Sequence, residues 1–181
     1  MATVLTRIVP ESKRQSVLYR KSQFRIRTAK SEDIGALSDL WFYQRCYHEQ
    51  WDKLYETVAS GQQEWQENLK SSLKQPNHIV LVAEAKLGKI LGYIHGSFYA
   101  WPFSPYEVYG SVNTIAISPE MQGKGLGKKL IQNLLDWFRK QEVQHISVHV
   151  DYRNEIALHL YKSAGFRSYQ HRLMLSLETH T

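Results

Sequence analysis

The sequence predicts a single α/β domain. Two kinds of periodicity predict it, together with the order in which they come. Runs that alternate apolar and polar side chains, at 24–28, 145–150 and 172–177, mark half-buried strands, whereas apolar residues spaced three and four apart mark helices. Along the chain they read strand, two helices, three strands, helix, strand, helix, strand, a mixture that requires helices laid against a sheet.

The first strand is FRIRT at 24–28. Ser31 then stands as an N-cap, with Glu32 and Asp33 where the helix dipole favours carboxylates, and Ile34, Leu37, Leu40 and Trp41 carry a helix to about His48. A second helix spans 62–74 and ends before Pro76. The β-rich runs 78–85 and 90–101 are joined by a turn at Leu87-Gly88-Lys89, and another strand, 108–117, is closed by Ser118-Pro119. From Lys124, Leu126, Leu130, Ile131, Leu134, Leu135 and Phe138 form one apolar stripe of about four turns. After the strand 145–150, a short helix at 155–164 stops at Gly165, a residue suited to a left-handed cap, and 172–177 is a terminal strand.

The 181 residues are 43% hydrophobic, enough for one sizeable core and short for two. The expected organisation is a basic arm, 1–22, followed by a domain at 23–178. Lys and Arg exceed Asp and Glu by 23 to 17, so anions are the favoured partners. Much of the excess lies in the arm, at Arg7, Lys13, Arg14, Arg20 and Lys21. Nucleic-acid binding rests on that charge alone, with no recognisable motif. The single Cys46 lies in an apolar helical pattern and reads as a buried structural thiol in a reducing cytoplasm. No run approaches the roughly 20 apolar residues of a membrane span, so no membrane partner is expected. His145 and His149 share a strand face but lie roughly 13 Å apart at about 3.3 Å per residue, too far to hold one metal ion.

The chemistry concentrates at 115–129, IAISPEMQGKGLGKK, where a strand ends, Gly123, Gly125 and Gly127 follow, and a helix opens at once. Glycines let a ligand approach the backbone, and the first N–H groups of a helix lack partners within it, so the segment forms an anion socket. A pyrophosphate fits there, with Lys124, Lys128 and Lys129 adding positive charge. A P-loop is excluded because Lys128 stands where its second glycine belongs. The dinucleotide fingerprint is excluded because one residue, not two, separates Gly125 from Gly127.

This segment resembles the hallmark of the GNAT superfamily of acyl-CoA-dependent N-acetyltransferases, Gln/Arg-x-x-Gly-x-Gly/Ala after a strand, matched by Gln122, Gly125 and Gly127. Downstream, NEIALHLYKSAGF is similar to the family's second signature through Asn154, Ala157, Tyr161, Gly165 and Phe166, and the element order from Phe24 to Leu177 is also the family's. The resemblance implies a mixed, mostly antiparallel central sheet flanked by helices, acetyl-CoA as cosubstrate, no metal, and an amine as acceptor. It implies that Ile115, Ala116 and Ile117 pair with the pantetheine arm through their backbones. Gln122, Gly123, Lys124, Gly125, Leu126, Gly127 and Lys128 would wrap the pyrophosphate, and Asn154, also a natural N-cap, would reach the pantetheine.

Transfer from a thioester expels a thiolate, and Tyr161 is the expected general acid, with a ring packed in the core as the alternative reading. The attacking amine needs a base. Many relatives place a carboxylate on the strand before the glycine loop, but Ser111, Val112, Asn113 and Thr114 provide none. Glu107 is the nearest upstream candidate, and a water chain through Asn113, Thr114 or backbone carbonyls is the preferred alternative. The aromatic-rich segments 41–55 and 98–109 flank the acceptor in relatives. Their rings, with Asp39, Glu49, Asp52 or Glu56, offer a place for an amine cation, although core packing explains the same rings. A homodimer is compatible with all of this. A non-catalytic acyl-CoA sensor is the alternative function, motivated by the missing carboxylate.

Overall fold

The computed structural model describes residues 24–100, 108–175 and 177. The described residues fall into two units that meet between His149 and Val150. The expected arm, 1–22, and Glu107 lie outside the described residues.

The first unit holds a five-stranded sheet in the order β1 (Phe24–Thr28), β2 (His78–Ala85), β3 (Ile90–Ala100), β4 (Val108–Ile117), β5 (His145–Val148). The first three pairings are antiparallel and the last is parallel. A parallel neighbour needs a crossover, which α3 (Leu126–Lys140) provides between β4 and β5. Between β1 and β2 lie α1 (Ile34–Glu49) and α2 (Gly61–Ser72).

Alternation along the strands sorts the side chains onto two faces. On one, Leu37 of α1 and Leu69 of α2 pack with Val80, Val82, Tyr93 and Ala116, while Trp41 stacks on Trp65 at 5.3 Å. On the other, Leu126, Leu130, Ile131, Leu134 and Phe138 of α3 are all buried. Full burial of each such side chain stabilises by roughly 1.5–3 kcal/mol before ordering entropy is subtracted. Helix α3 can lie this close because β3 and β4 offer it glycines. A Cβ built on Gly96 would stand 3.1 Å from Phe138 Cζ, and one on Gly110 2.9 Å from Phe138 Cε1.

Several expectations need correction. Ser31 lies inside a 3-10 turn, Ser31–Asp33, and is not the cap. Asp33 holds the N-cap position but makes no side-chain bond to the helix; its carboxylate turns back to accept from the Lys30 N–H (2.7 Å) while Arg27 holds both of its oxygens (2.7 and 2.9 Å). Cys46 is exposed. It follows the buried Leu37 by nine residues, which at about 3.6 residues per turn puts it on the opposite side of α1. Strand β5 ends at Val148, two residues early, because its partner β4 breaks register just after Val112. No strand forms over 172–175, and Leu173, Leu175 and Leu177 are exposed. Alternation states which side chains would share a face, but a strand exists only where a neighbour completes its ladder, and no described residue pairs with this segment.

The second unit contains α4 (Glu155–Ser163). Among the described residues, no helix is long and apolar enough to cross a membrane.

Candidate active site

Strand β4 is paired on both sides only for part of its length. Its ladder with β5 runs from Tyr109↔His145 to Val112↔Val148. With β3 it continues to Gly92↔Ile117, but His95 opposes Thr114 while Gly96 opposes Val112, so Asn113 is an extra residue, a bulge. Beyond the bulge, no described strand pairs with the outer side of β4. The Ser118 N–H donates to Leu91 O (2.9 Å), which makes that pair hydrogen-bonded. Hydrogen-bonded and non-bonded pairs alternate in an antiparallel ladder, so Ala116 bonds to Tyr93 while the main-chain groups of Ile115 and Ile117 turn outward. There, Ile115 O accepts from Gln44 Nε2 (2.9 Å) and Ile117 O from Gln122 Nε2 (3.3 Å). Their N–H groups face the same way, an arrangement that suits an extended, amide-bearing ligand.

The glycine loop follows directly. Buried Met121 anchors its start and buried Leu126 its end, leaving 122–125 exposed between them. Gly123 (φ 69°) and Gly125 (φ 81°) adopt the left-handed conformation that side chains disfavour, and a Cβ on either would meet no atom within 4 Å. The first helical closure is Lys129 N–H to Gly125 O (3.2 Å). The N–H groups of Leu126, Gly127 and Lys128 therefore precede any intrahelical partner and point out of the helix start, where the dipole is positive. Lys124 and Lys128 are exposed at this end. Lys129 instead lies over the Phe24 ring at 4.9 Å.

In the second unit each residue of the second motif has a local task. Asn154 Oδ1 caps α4 by accepting from the Ala157 N–H (3.0 Å). At the other end, Gly165 (φ 97°) lets its N–H reach Lys162 O (3.0 Å) and that of Phe166 reach Tyr161 O (3.1 Å), the two bonds of a Schellman cap. The Phe166 ring meets the Tyr161 ring edge-on at 5.5 Å. Tyr161 is buried, and burial pushes its phenol well above the ordinary tyrosine range, so at neutral pH it is a proton donor.

One cluster was missed at the level of sequence. On the α1/α2 face, His95 Nε2 lies 3.0 Å from His78 Nδ1 and 3.3 Å from Asn113 Nδ2, while Asn113 Nδ2 also donates to Ser97 Oγ (2.9 Å). Burial and the neighbouring His78 pull the His95 imidazole down to about 4, and burial also lowers His78. Alternation within one strand does not reveal a pair made across two strands. The signal was the hairpin, which sets His78 opposite Ser97 and so diagonal to His95.

The aromatic segment after Trp41 packs mainly on itself. His48 stacks on Trp51 (4.9 Å) and meets Tyr55 edge-on (5.3 Å), and the cation over these rings is the chain's own Arg45, 5.4 Å from Tyr55 and 6.0 Å from Trp41. Glu49 accepts from the Thr57 N–H and Asp52 from the Leu54 N–H, so both carboxylates order the loop. Among the described residues no three His, Cys, Asp or Glu side chains gather into a metal-binding group.

The model of the acetyltransferase (GNAT) family matches residues 40–166. A mycothiol acetyltransferase of Renibacterium salmoninarum is 33% identical over 101 residues, 56% of this chain and 30% of that protein. The N-alpha-acetyltransferase RimI of Mycobacterium tuberculosis is 41% identical over 63 residues, 35% of this chain and 37% of that one. The matched stretches thus span only about a third of these relatives' lengths. A predicted acetyltransferase of Clostridium acetobutylicum, solved with acetyl-CoA, superposes with a TM-score of 0.69 at 17% identity, over 84% of this chain and 96% of that one, a likeness of fold.

Proposed function

The chain belongs to the acetyltransferase (GNAT) family, and from that premise we propose that it transfers an acetyl group from acetyl-CoA to an amine, either a small molecule or a protein amino group. The observation that carries the reading is the left-handed glycine turn opening α3 directly beside the one-sided stretch of β4. A diphosphate would take the N–H groups of Leu126, Gly127 and Lys128, with Gln122, Gly123, Lys124 and Gly125 forming the turn around it and the Lys124 and Lys128 ammonium groups nearby. The pantetheine amides would pair with the outward groups of Ile115 and Ile117, and the Gln44 and Gln122 amides would yield the two carbonyls. Ala116 contributes by holding the edge to β3. Asn154 would add an amide contact from the start of α4.

In the reaction the amine nitrogen attacks the acyl carbon, the carbon–sulfur bond breaks, and the electron pair leaves with sulfur. The Ile117 N–H is the proposed donor to the developing oxyanion. Tyr161, kept protonated by burial, is the proposed acid for the departing thiolate. Glu107 is retained as a candidate base on the sequence reading alone. The proposal extends to a cytoplasmic location, suggested by the single cysteine, and to a homodimer.

Titration calorimetry with acetyl-CoA, followed by thiol release across a panel of primary amines, tests the proposal. Binding together with amine-dependent release supports it. The lack of a carboxylate at 111–114 favours a second reading, an acyl-CoA sensor, which binding without release from any amine would support. No affinity for acetyl-CoA would refute both.

A further inference from the structure

We propose that His95, backed by His78 and Asn113, is the group that takes the proton from the acceptor amine. The inference rests on the acetyltransferase reading and fills the place that β4 leaves without a carboxylate. Position is the first support. His95 sits opposite Thr114, beside the Asn113 bulge, at the point where β4 loses its β5 partner. The bulge lies two residue steps from Ile115, about 7 Å along a strand, so a thioester laid on the open edge ends near this face.

Hydrogen bonding is the second support. The Asn113 Nδ2 group can only donate, so its 3.3 Å approach to His95 Nε2 fits the tautomer in which Nε2 is the acceptor. With Nε2 unprotonated, the 3.0 Å contact requires the proton on His78 Nδ1, so His78 donates to the same nitrogen and orients the ring. Among the described residues, the groups facing His95 carry no fixed charge. They are His78 and Val80 from β2, Thr114 and Asn113 from β4, and Tyr93 and Ser97 on its own strand. Gln44 of α1 and Trp65 of α2 reach this part of the face and are neutral, and His145 of β5 lies farther along, stacked on Tyr109 at 5.5 Å. Such surroundings keep the imidazole unprotonated at neutral pH.

As the amine nitrogen bonds to the acyl carbon it gains positive charge and its proton becomes acidic. The N–H bond breaks, its electron pair stays on nitrogen, and the proton joins the His95 Nε2 lone pair. It takes the place of the His78 and Asn113 donors on that nitrogen and is later released from the imidazolium to solvent, while the sulfur takes a separate proton.

His95→Gln keeps a polar side chain but removes the imidazole. Calorimetry with acetyl-CoA reports the underlying reading, and the rate with putrescine, an amino acid or a peptide with a free N-terminus reports this one. The expected result is affinity within about twofold of the parent with kcat lowered by roughly 10²–10³-fold, the acid limb of the pH profile lost, and partial rescue of His95→Ala by free imidazole. An acid limb that survives, or a kcat within threefold, at unchanged affinity would overturn the assignment. A readout independent of acceptor is ¹⁵N NMR of the imidazoles in the acetyl-CoA complex. An unprotonated His95 Nε2 at pH 7 supports the proposal, and a protonated one overturns it. A parent protein that fails to bind acetyl-CoA refutes the acetyltransferase reading itself.

Discussion

Gly125 occupies a backbone conformation, φ 81°, in which a β-branched residue is a steric outlier, and it borders open space on the side where a Cβ would project. Gly125→Val is therefore expected to act twice, straining the start of α3 by roughly 1–2 kcal/mol and placing methyl groups where a diphosphate would sit. Calorimetry should show acetyl-CoA affinity reduced at least about tenfold in a variant that stays folded, and unchanged affinity would move the diphosphate elsewhere. Tyr161→Phe keeps the ring that meets Phe166 and removes only the hydroxyl. Its kcat should fall by about tenfold or more while acetyl-CoA affinity holds, and an equal rate would take the phenol out of the chemistry. Both positions were visible in the sequence because their tasks are local. A left-handed glycine before a helix, an asparagine cap and a Gly-Phe stop are each set by residues a few places apart. His95 was not, since its partners His78 and Asn113 lie on two other strands.

What holds for side chains holds for elements. The stripe from Leu126 to Phe138 was readable because a helix writes its buried face at fixed intervals, and β1, β2 and β4 were read with their observed ends. The Asn113 bulge was not readable, because a bulge is a relation between β3 and β4, not a property of either. Segment 172–177 shows the converse, an alternation without a described ladder partner. The packing of α3 on the sheet also depends on two glycines that look unremarkable in the sequence. Gly96→Val should force Leu134 and Phe138 away and destabilise the protein by about 1–3 kcal/mol. Urea unfolding would register this as a lower midpoint at unchanged slope, and an unaltered midpoint would mean that α3 is free to shift.

Across the whole molecule, acid should act in two stages, because two groups of side chains shift for different reasons. His95 is drawn down to about 4 by burial and by His78, so the folded protein binds fewer protons there than the unfolded chain. Stability from this source is complete above the ordinary histidine value of about 6.5 and is lost as pH falls from there toward 4. The second stage belongs to the network that joins β1, β2 and the start of α1. There Arg27 bonds to Asp33 and to Glu84 (3.0 Å), and Arg25 also reaches Glu84 (2.6 Å). The Arg27 guanidinium holds the Asp33 carboxyl below its usual range, and Arg27 and Arg25 together bring Glu84 to about 2. Depressed carboxylates contribute above their unfolded values, about 4, and that contribution disappears as pH falls through the folded ones. Urea midpoints measured from pH 7 down to pH 2 should therefore decline in two steps. His95→Gln should shrink the upper step, to which the lowered His78 also contributes, and leave the lower, and Asp33→Asn should shrink the lower, keeping the part that belongs to Glu84, and leave the upper. If both variants run parallel to the parent over the full range, neither the buried imidazole nor the arginine-bound carboxylate is linked to folding in the way the geometry implies.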